Sequence, residues 1–168
     1  NPKMAPYLYG VKDGVHVFDL VKTRDALADA LREIEDASLK GKRIILVGTK
    51  KQAKDKVAEI AKSTGIFYVN ERWLGGTLSN FSQILRSVKS LADMKKKKAA
   101  GQYNTFTKKE RLLIDRKIDK LEKFFGGIAT IESLPELMIV VDTHKEFGAI
   151  REAAMLGIPT IGIVDSNA

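Results

Sequence analysis

Residues 82–125 constrain the fold more than any other part of the chain, because they contain two amphipathic segments. Apolar residues recur at three- and four-residue steps from Phe81 to Leu91, and again from Ile114 to Phe125. This spacing predicts two helices that each bury one face. Since each apolar face needs a partner, we expect the two helices to pack against each other as a coiled-coil hairpin.

The segment between the two predicted helices contains the signals that end one helix and begin the next. Gly101 can adopt the left-handed conformation that ends a helix. Thr107 and Glu110 have the Thr-x-x-Glu spacing of a capping box, which satisfies free backbone N–H groups at a helix start. A reversal between these signals folds the two arms back on each other. We therefore predict that residues 82–125 form one inserted helical hairpin.

The same segment carries the whole net charge of the chain. Residues 82–125 hold 13 lysines and arginines but only 5 aspartates and glutamates, which gives the segment a charge of +8. The full chain has 29 basic and 21 acidic residues, so the remainder holds 16 of each and is neutral. Such a concentration of positive charge favours an anionic partner, either nucleic acid or an acidic membrane.

On either side of the hairpin, predicted strands alternate with predicted helices. Ile44–Val47 and Leu137–Val141 are continuously apolar runs, as expected of strands buried on both faces of a parallel sheet. Further strands are predicted over 15–20, 66–69 and 160–164, helices over 23–38, 50–62 and 146–156, and an extended arm over 1–10. The pattern predicts a single α/β domain over residues 1–168, a parallel sheet with helices on both faces.

The composition excludes some kinds of site. The chain contains no cysteine, so it can form neither a disulfide nor a thiolate metal site. Its longest strongly apolar run, Leu137–Val141, is far too short to span a bilayer. We expect a soluble intracellular protein without a metal or a cofactor.

Several motifs resemble the bacterial-type family of small-subunit ribosomal protein two. The most specific is Arg72-Trp73-Leu74-Gly75-Gly76-Thr77-Leu78-Ser79-Asn80. Others follow in the family's order: Asn1-Pro2-Lys3-Met4, Val15 to Thr23, Val47-Gly48-Thr49-Lys50-Lys51, Gly126-Gly127-Ile128, Leu134-Pro135-Glu136, Glu152-Ala153 with Leu156-Gly157-Ile158-Pro159, and Val164-Asp165-Ser166-Asn167. The resemblance covers nearly the whole chain. Family members normally carry a further N-terminal segment with a His-Phe-Gly-His-like motif, and they continue past Asn167 into another strand and helix.

The resemblance implies a flavodoxin-like (Rossmann-like) parallel sheet with a protruding α-helical coiled coil. It also implies a structural constituent of the small ribosomal subunit, not an enzyme, which serves translation by binding 16S-type ribosomal RNA and neighbouring ribosomal proteins. A further implied partner is the large messenger-binding ribosomal protein one. The expected location is a cytoplasmic ribosome or an organellar one, with no membrane partner.

Basic side chains near the predicted hairpin tip are the first candidates for RNA contacts, because lysine and arginine neutralise phosphates. These are Lys95, Lys96, Lys97, Lys98, Lys108, Lys109 and Arg111. Arg72 is a further candidate because it lies beside two glycines in the loop before the hairpin. Lys50 and Lys51 are candidates because they follow a strand and open a helix. The alternative is that these charges only face water.

The sequence is compatible with two other functions. Asp19, Asp142 and Asp165 each lie near the end of a predicted strand, where α/β enzymes place catalytic or metal-binding carboxylates, and His144 is close to Asp142. A nucleotide- or metal-dependent enzyme is therefore one alternative, although acids at strand ends often cap the next helix. The other is a coiled-coil adaptor protein that uses the basic arms.

Overall fold

The computed structural model describes residues 2–166, and it has a four-stranded parallel sheet at its centre. In chain order the elements are β1 (Leu8–Lys12), β2 (Val15–Phe18), α1 (Leu20–Leu39), β3 (Ile44–Val47), α2 (Lys54–Thr64), β4 (Phe67–Val69), α3 (Phe81–Ala99), α4 (Lys108–Phe125), β5 (Leu137–Val141), α5 (Phe147–Met155) and β6 (Thr160–Ile163). The strand order is β4-β3-β5-β6. This architecture confirms the predicted α/β fold class.

The central strands β3 and β5 send alternate side chains to the two faces of the sheet. Ile45 is in register with Met138, and Val47 with Val140. These four side chains belong to the core that α5 and the base of the hairpin cover. The neighbouring Ile44 contributes instead to a smaller cluster with the end of α1. Helices therefore lie on both faces of the sheet, as the apolar runs predict.

The helices α3 and α4 form a helical hairpin between β4 and β5. Their facing sides are buried in one cluster: Ile84, Val88, Leu91, Ile118 and Phe125. Gly101 has a φ of 70°, which allows the chain to turn after α3. Thr107 and Glu110 form both hydrogen bonds of a capping box, so α4 begins where the sequence predicts. Coiled-coil geometry between the two arms stays a prediction.

The first predicted strand does not join the parallel sheet. β2 pairs antiparallel with β1 in a separate two-stranded hairpin. Asp13 and Gly14 connect the two strands with φ values of 51° and 78°. A two-residue turn with positive φ favours a tight antiparallel hairpin, whereas a parallel pair needs a long crossover. The expected strand over 15–20 therefore ends at Phe18 and belongs to a different sheet.

Three other expected boundaries in the first third of the chain are wrong. Residues 2–7 form a 3₁₀ helix, not an extended arm, while Asn1 lies outside the described residues. α1 begins at Leu20, three residues earlier than expected, because the side chain of Asp19 accepts hydrogen bonds from the backbone N–H groups of Val21 and Lys22. α2 begins at Lys54 because residues 51–53 form a turn first.

Candidate nucleic-acid interface

The four consecutive lysines at the end of α3 divide into two pairs. Lys95 forms an ion pair with Glu122 of α4. Lys98 forms an ion pair with Asp115 of α4 at 2.8 Å, and this carboxylate raises the pKa of Lys98. The side chains of Lys96 and Lys97 are exposed and form no ion pair within residues 2–166. Two ammonium groups thus join the arms, and two are available to an external anion.

The first turn of α4 adds three exposed cations on the other side of the hairpin tip. Lys108, Lys109 and Arg111 form no ion pair among the described residues. In the connecting loop the rings of Tyr103 and Phe106 are in contact, and their centroids lie 5.6 Å apart. Five of the seven predicted tip cations therefore lie near one chain reversal without an acidic partner in the described chain.

The basic surface extends along both arms beyond the predicted tip residues. Five more exposed cations lie on α3 and α4 without an ion pair in residues 2–166: Arg86, Lys89, Arg116, Lys117 and Lys120. Arg116 and Lys120 are four residues apart, so they lie on one outward face of α4. The signal for these residues was present in the sequence as basic positions between the apolar positions of each arm.

The remaining predicted contacts lie on the body, where their surroundings differ. Arg72 is exposed in the loop before α3, and Lys51 is exposed after β3. Lys50 instead forms an ion pair with Asp142 at 2.8 Å, and that carboxylate raises its pKa. The ion pair joins the ends of β3 and β5, so Lys50 already neutralises a carboxylate of its own chain.

The strand-end aspartates have structural partners. Asp19 caps α1, and Asp142 pairs with Lys50 and accepts a hydrogen bond from the backbone N–H of Lys145 at 3.2 Å. These contacts lower the pKa of Asp142, the bond from Lys50 most. Asp165 accepts a bond from the next backbone N–H at 2.7 Å. Within residues 2–166, no cluster of three or more His, Asp or Glu side chains could hold a metal ion.

A buried carboxylate to which the sequence alone assigns no role lies at the base of the hairpin. Glu152 of α5 is 9% exposed, and its oxygens accept five hydrogen bonds from the loop before α3. The donors are Trp73 Nε1 at 3.2 Å, the backbone N–H groups of Gly76 at 2.8 Å, Leu78 at 2.8 Å and Ser79 at 3.0 Å, and Ser79 Oγ at 3.1 Å. Burial alone would raise the pKa of Glu152, but these donors outweigh it and lower the pKa.

A second acidic residue and a glycine also join the hairpin to the body. Glu71 bonds Lys54 of α2 at 3.1 Å and Lys123 of α4 at 3.4 Å. The hydrogen bond from Lys54 is the largest cause of the lowered pKa of Glu71. Where the chain returns from α4, Gly127 lies so close to Tyr68 that an added Cβ atom would overlap the Tyr68 carbonyl oxygen. The start of the hairpin therefore contacts the body through Glu152, and its end contacts the body through Glu71 and Gly127.

No helix within residues 2–166 is both long enough and apolar enough to cross a membrane. The two amphipathic arms α3 and α4 turn their apolar faces toward each other, and their outward faces carry the cations described above. An outward face that combines many lysines with few apolar side chains suits phosphate groups better than a hydrocarbon phase.

Comparison with known proteins adds independent information. The model of the family described as ribosomal protein S2 matches residues 1–168. The small ribosomal subunit protein uS2 of Mesorhizobium japonicum is 48% identical to this chain over 167 residues. The proteins of the same name from Rhodospirillum centenum and Roseiflexus sp. are 47% and 44% identical to it over the same number of residues. Each alignment covers 99% of this chain and 64% of the relative. The chain thus spans somewhat less than two thirds of the length of these relatives.

Proposed function

The chain belongs to the ribosomal protein S2 family, and on that premise we propose that it is a structural constituent of the small ribosomal subunit that binds ribosomal RNA through its helical hairpin. One observation carries the RNA part of the proposal. Ten cations of the hairpin are exposed and form no ion pair within the described residues, while the rest of the sequence is neutral.

The proposed mechanism is electrostatic contact with folded RNA. Lysine and arginine side chains neutralise phosphates and release condensed counterions, which gives affinity with little dependence on base sequence. The deep, narrow major groove of A-form RNA hides its base edges, so the shape of the RNA is what such a hairpin can recognise. A rigid two-helix arm suits this task, because it holds cations at fixed spacings along its length.

We rank the candidate contacts by whether each side chain already forms an ion pair within this chain. Exposed cations without an ion pair are ranked first: Lys96, Lys97, Lys108, Lys109 and Arg111, followed by Arg72 and Lys51. Lys95, Lys98 and Lys50 are ranked last, because a phosphate would have to replace a carboxylate of this chain. The exposed cations farther along the arms extend the proposed surface toward the body.

We further propose that residues 1–168 act as one α/β domain, with residues 82–125 as its inserted arm. The neutral body would contact neighbouring small-subunit ribosomal proteins, among them the large messenger-binding ribosomal protein one. An enzymatic role gains no support, because Asp19 and Asp142 are engaged in a helix cap and an ion pair. A coiled-coil adaptor gains none either, because the apolar faces of α3 and α4 already cover each other.

The test is binding of the protein to small-subunit ribosomal RNA across a salt titration. A tip variant with Lys96, Lys97 and Lys109 changed to Gln is compared with a body variant with Lys12, Lys42 and Lys62 changed to Gln, which removes the same charge. If the tip contacts phosphates, the tip variant loses affinity, and its log–log salt slope becomes shallower by about one per lost contact. The body variant should match the parent.

Equal losses in the two variants would mean that net charge, not the hairpin, governs binding. Failure of the parent protein to bind at all would refute the RNA proposal for residues 1–168. If the tip variant binds RNA with full affinity, the contact with RNA lies on the body or farther along the arms.

A further inference from the structure

We propose that Glu152 is a positioning residue that fixes the direction in which the hairpin leaves the body. The positioning role rests on the hydrogen bonds at the base of the hairpin, and only its consequence for RNA binding rests on the proposed function. Glu152 lies on α5, whose Ala149 and Ala153 are fully buried against the sheet. Its bonding partners all lie in residues 73–79, the segment that connects β4 to α3. One carboxylate thus joins the body to the start of the hairpin.

The two oxygens of Glu152 hold two successive parts of this loop. Oε1 accepts from Trp73 Nε1 and from the backbone N–H of Gly76, and Oε2 accepts from the backbone N–H of Leu78 and from both donors of Ser79. Because the carboxylate is planar and held by donors at both oxygens, the loop cannot rotate about the end of α5 without breaking one set of bonds.

Apolar packing at the same place would not set the direction by itself. Leu78 is 2% exposed and joins the core, but burial of apolar area is non-directional, whereas hydrogen bonds weaken steeply when they bend. The second carboxylate at the base, Glu71, is more exposed and reaches α4 through the longer 3.4 Å contact with Lys123. Glu152 is therefore the main directional contact between body and hairpin.

A small change of direction at the base produces a large movement at the tip. α3 has 19 residues, and at about 1.5 Å per residue it is about 28 Å long, so a tilt of about 10° moves its end by roughly 5 Å. A displacement of that size separates an ammonium group from a phosphate that it contacts. Glu152 would therefore influence RNA binding without touching RNA.

The absence of cysteine from the sequence allows a direct measurement of hairpin direction. Asn104→Cys at the tip and Lys62→Cys on α2 introduce two exposed sites for nitroxide labels, and double electron–electron resonance gives the distribution of distances between them. Glu152→Gln keeps the side-chain shape but turns an N–H₂ group toward donors that need an acceptor. Glu132→Gln, at an exposed site, is the matched control with the same charge change.

We expect a narrow distribution of label distances in the labelled parent and in the Glu132→Gln control. In Glu152→Gln we expect a broadened or shifted distribution, while the helical circular dichroism signal is retained. An unchanged distribution in a folded Glu152→Gln protein would overturn the proposal. If Glu152→Gln does not fold, Ser79→Ala and Trp73→Phe each remove one side-chain donor. A broadened or shifted distance distribution in either variant then supports the proposal, and an unchanged distribution in both variants overturns it.

Ribosomal RNA binding is measured on the same variants without labels. Reduced affinity in Glu152→Gln, beside full affinity in Glu132→Gln, is the result expected if direction matters for binding. If the parent does not bind RNA while the label distances shift in Glu152→Gln, the proposed function fails and the positioning role stands. If the parent binds RNA and the distances do not shift, the positioning role fails and the proposed function stands.

Discussion

Trp73 and Glu152 lie 79 positions apart in the chain, yet the indole Nε1 of Trp73 donates a hydrogen bond to Oε1 of Glu152 at 3.2 Å. The whole hairpin lies between the two residues in the sequence, so this bond closes the base of the insertion. Trp73 is the only tryptophan of the chain, so tryptophan fluorescence reports on the surroundings of this one indole, which include the contact with Glu152. Side-chain and backbone donors share the same carboxylate, which makes the base of the hairpin one connected unit.

The first prediction concerns acid stability. The pKa of Glu152 is lowered in the folded protein, so its stabilising contribution is fully present above the ordinary glutamate pKa and is lost as the pH falls through the lower folded value. The stability difference between the parent and Glu152→Gln should therefore be constant at neutral pH and shrink only below the ordinary glutamate range. Urea titrations followed by Trp73 fluorescence measure this difference. If the stability difference between the two proteins instead grows on acidification, the pKa of Glu152 is not lowered in the folded protein.

The second prediction separates paired from unpaired lysines within one run. Lys96→Gln and Lys98→Gln remove the same charge two residues apart on α3. Because Lys98 already pairs with Asp115, its removal should weaken RNA binding less than removal of Lys96. In hydrogen exchange, Lys98→Gln should instead loosen the end of the hairpin, since an interhelical contact is lost. Equal effects of the two variants on RNA affinity would show that the ion pair opens in the complex.

The third prediction uses the two adjacent glycines after α4. Gly127→Ala should destabilise the protein by about 1–3 kcal/mol, because the new methyl group would overlap the carbonyl oxygen of Tyr68. Gly126→Ala is the matched control, since Gly126 has helical angles and an added Cβ atom would meet only Glu122 at 3.6 Å. The control should be neutral or stabilising by up to about 1 kcal/mol. Thermal or urea unfolding decides between these outcomes.

The fourth prediction concerns the start of α4. Thr107→Ala removes the hydroxyl that accepts the backbone N–H of Glu110, and the loss of a helix cap costs about 1 kcal/mol. Thr107→Ser retains the hydroxyl and should lose much less stability. Amide hydrogen exchange should show faster opening of the first turn of α4 in the Ala variant. No difference between the two substitutions would mean that the arm does not depend on its cap.

Features of the fold that depend on neighbouring residues could be predicted from the sequence. The strands Ile44–Val47 and Leu137–Val141 have the predicted bounds, because a continuously apolar run between turn residues allows few other structures. The capping box of Thr107 and the reversal near Gly101 are likewise local, and both are confirmed.

Contacts between distant residues could not be predicted in this way. In the sequence Glu152 is noticed only as part of a motif that resembles the family, and no neighbouring residue indicates that the loop over residues 73–79 supplies its donors. The pairing of β1 with β2 was different, since Asp13-Gly14 between alternating apolar residues is a hairpin signal that outweighs the expectation of a parallel strand. The partners of Lys95 and Lys98 depend on the register of the two arms, which periodicity leaves undefined.

The close approach of Gly127 to Tyr68 has a consequence for how the length of the hairpin can change in evolution. Because the chain returns from the hairpin beside the strand that it left, the length of the arms is not tied to the geometry of the sheet. One helical turn added to each arm would lengthen the hairpin by about 5.4 Å and leave every strand pairing intact. The reach of the arm and the fold of the body can therefore evolve separately.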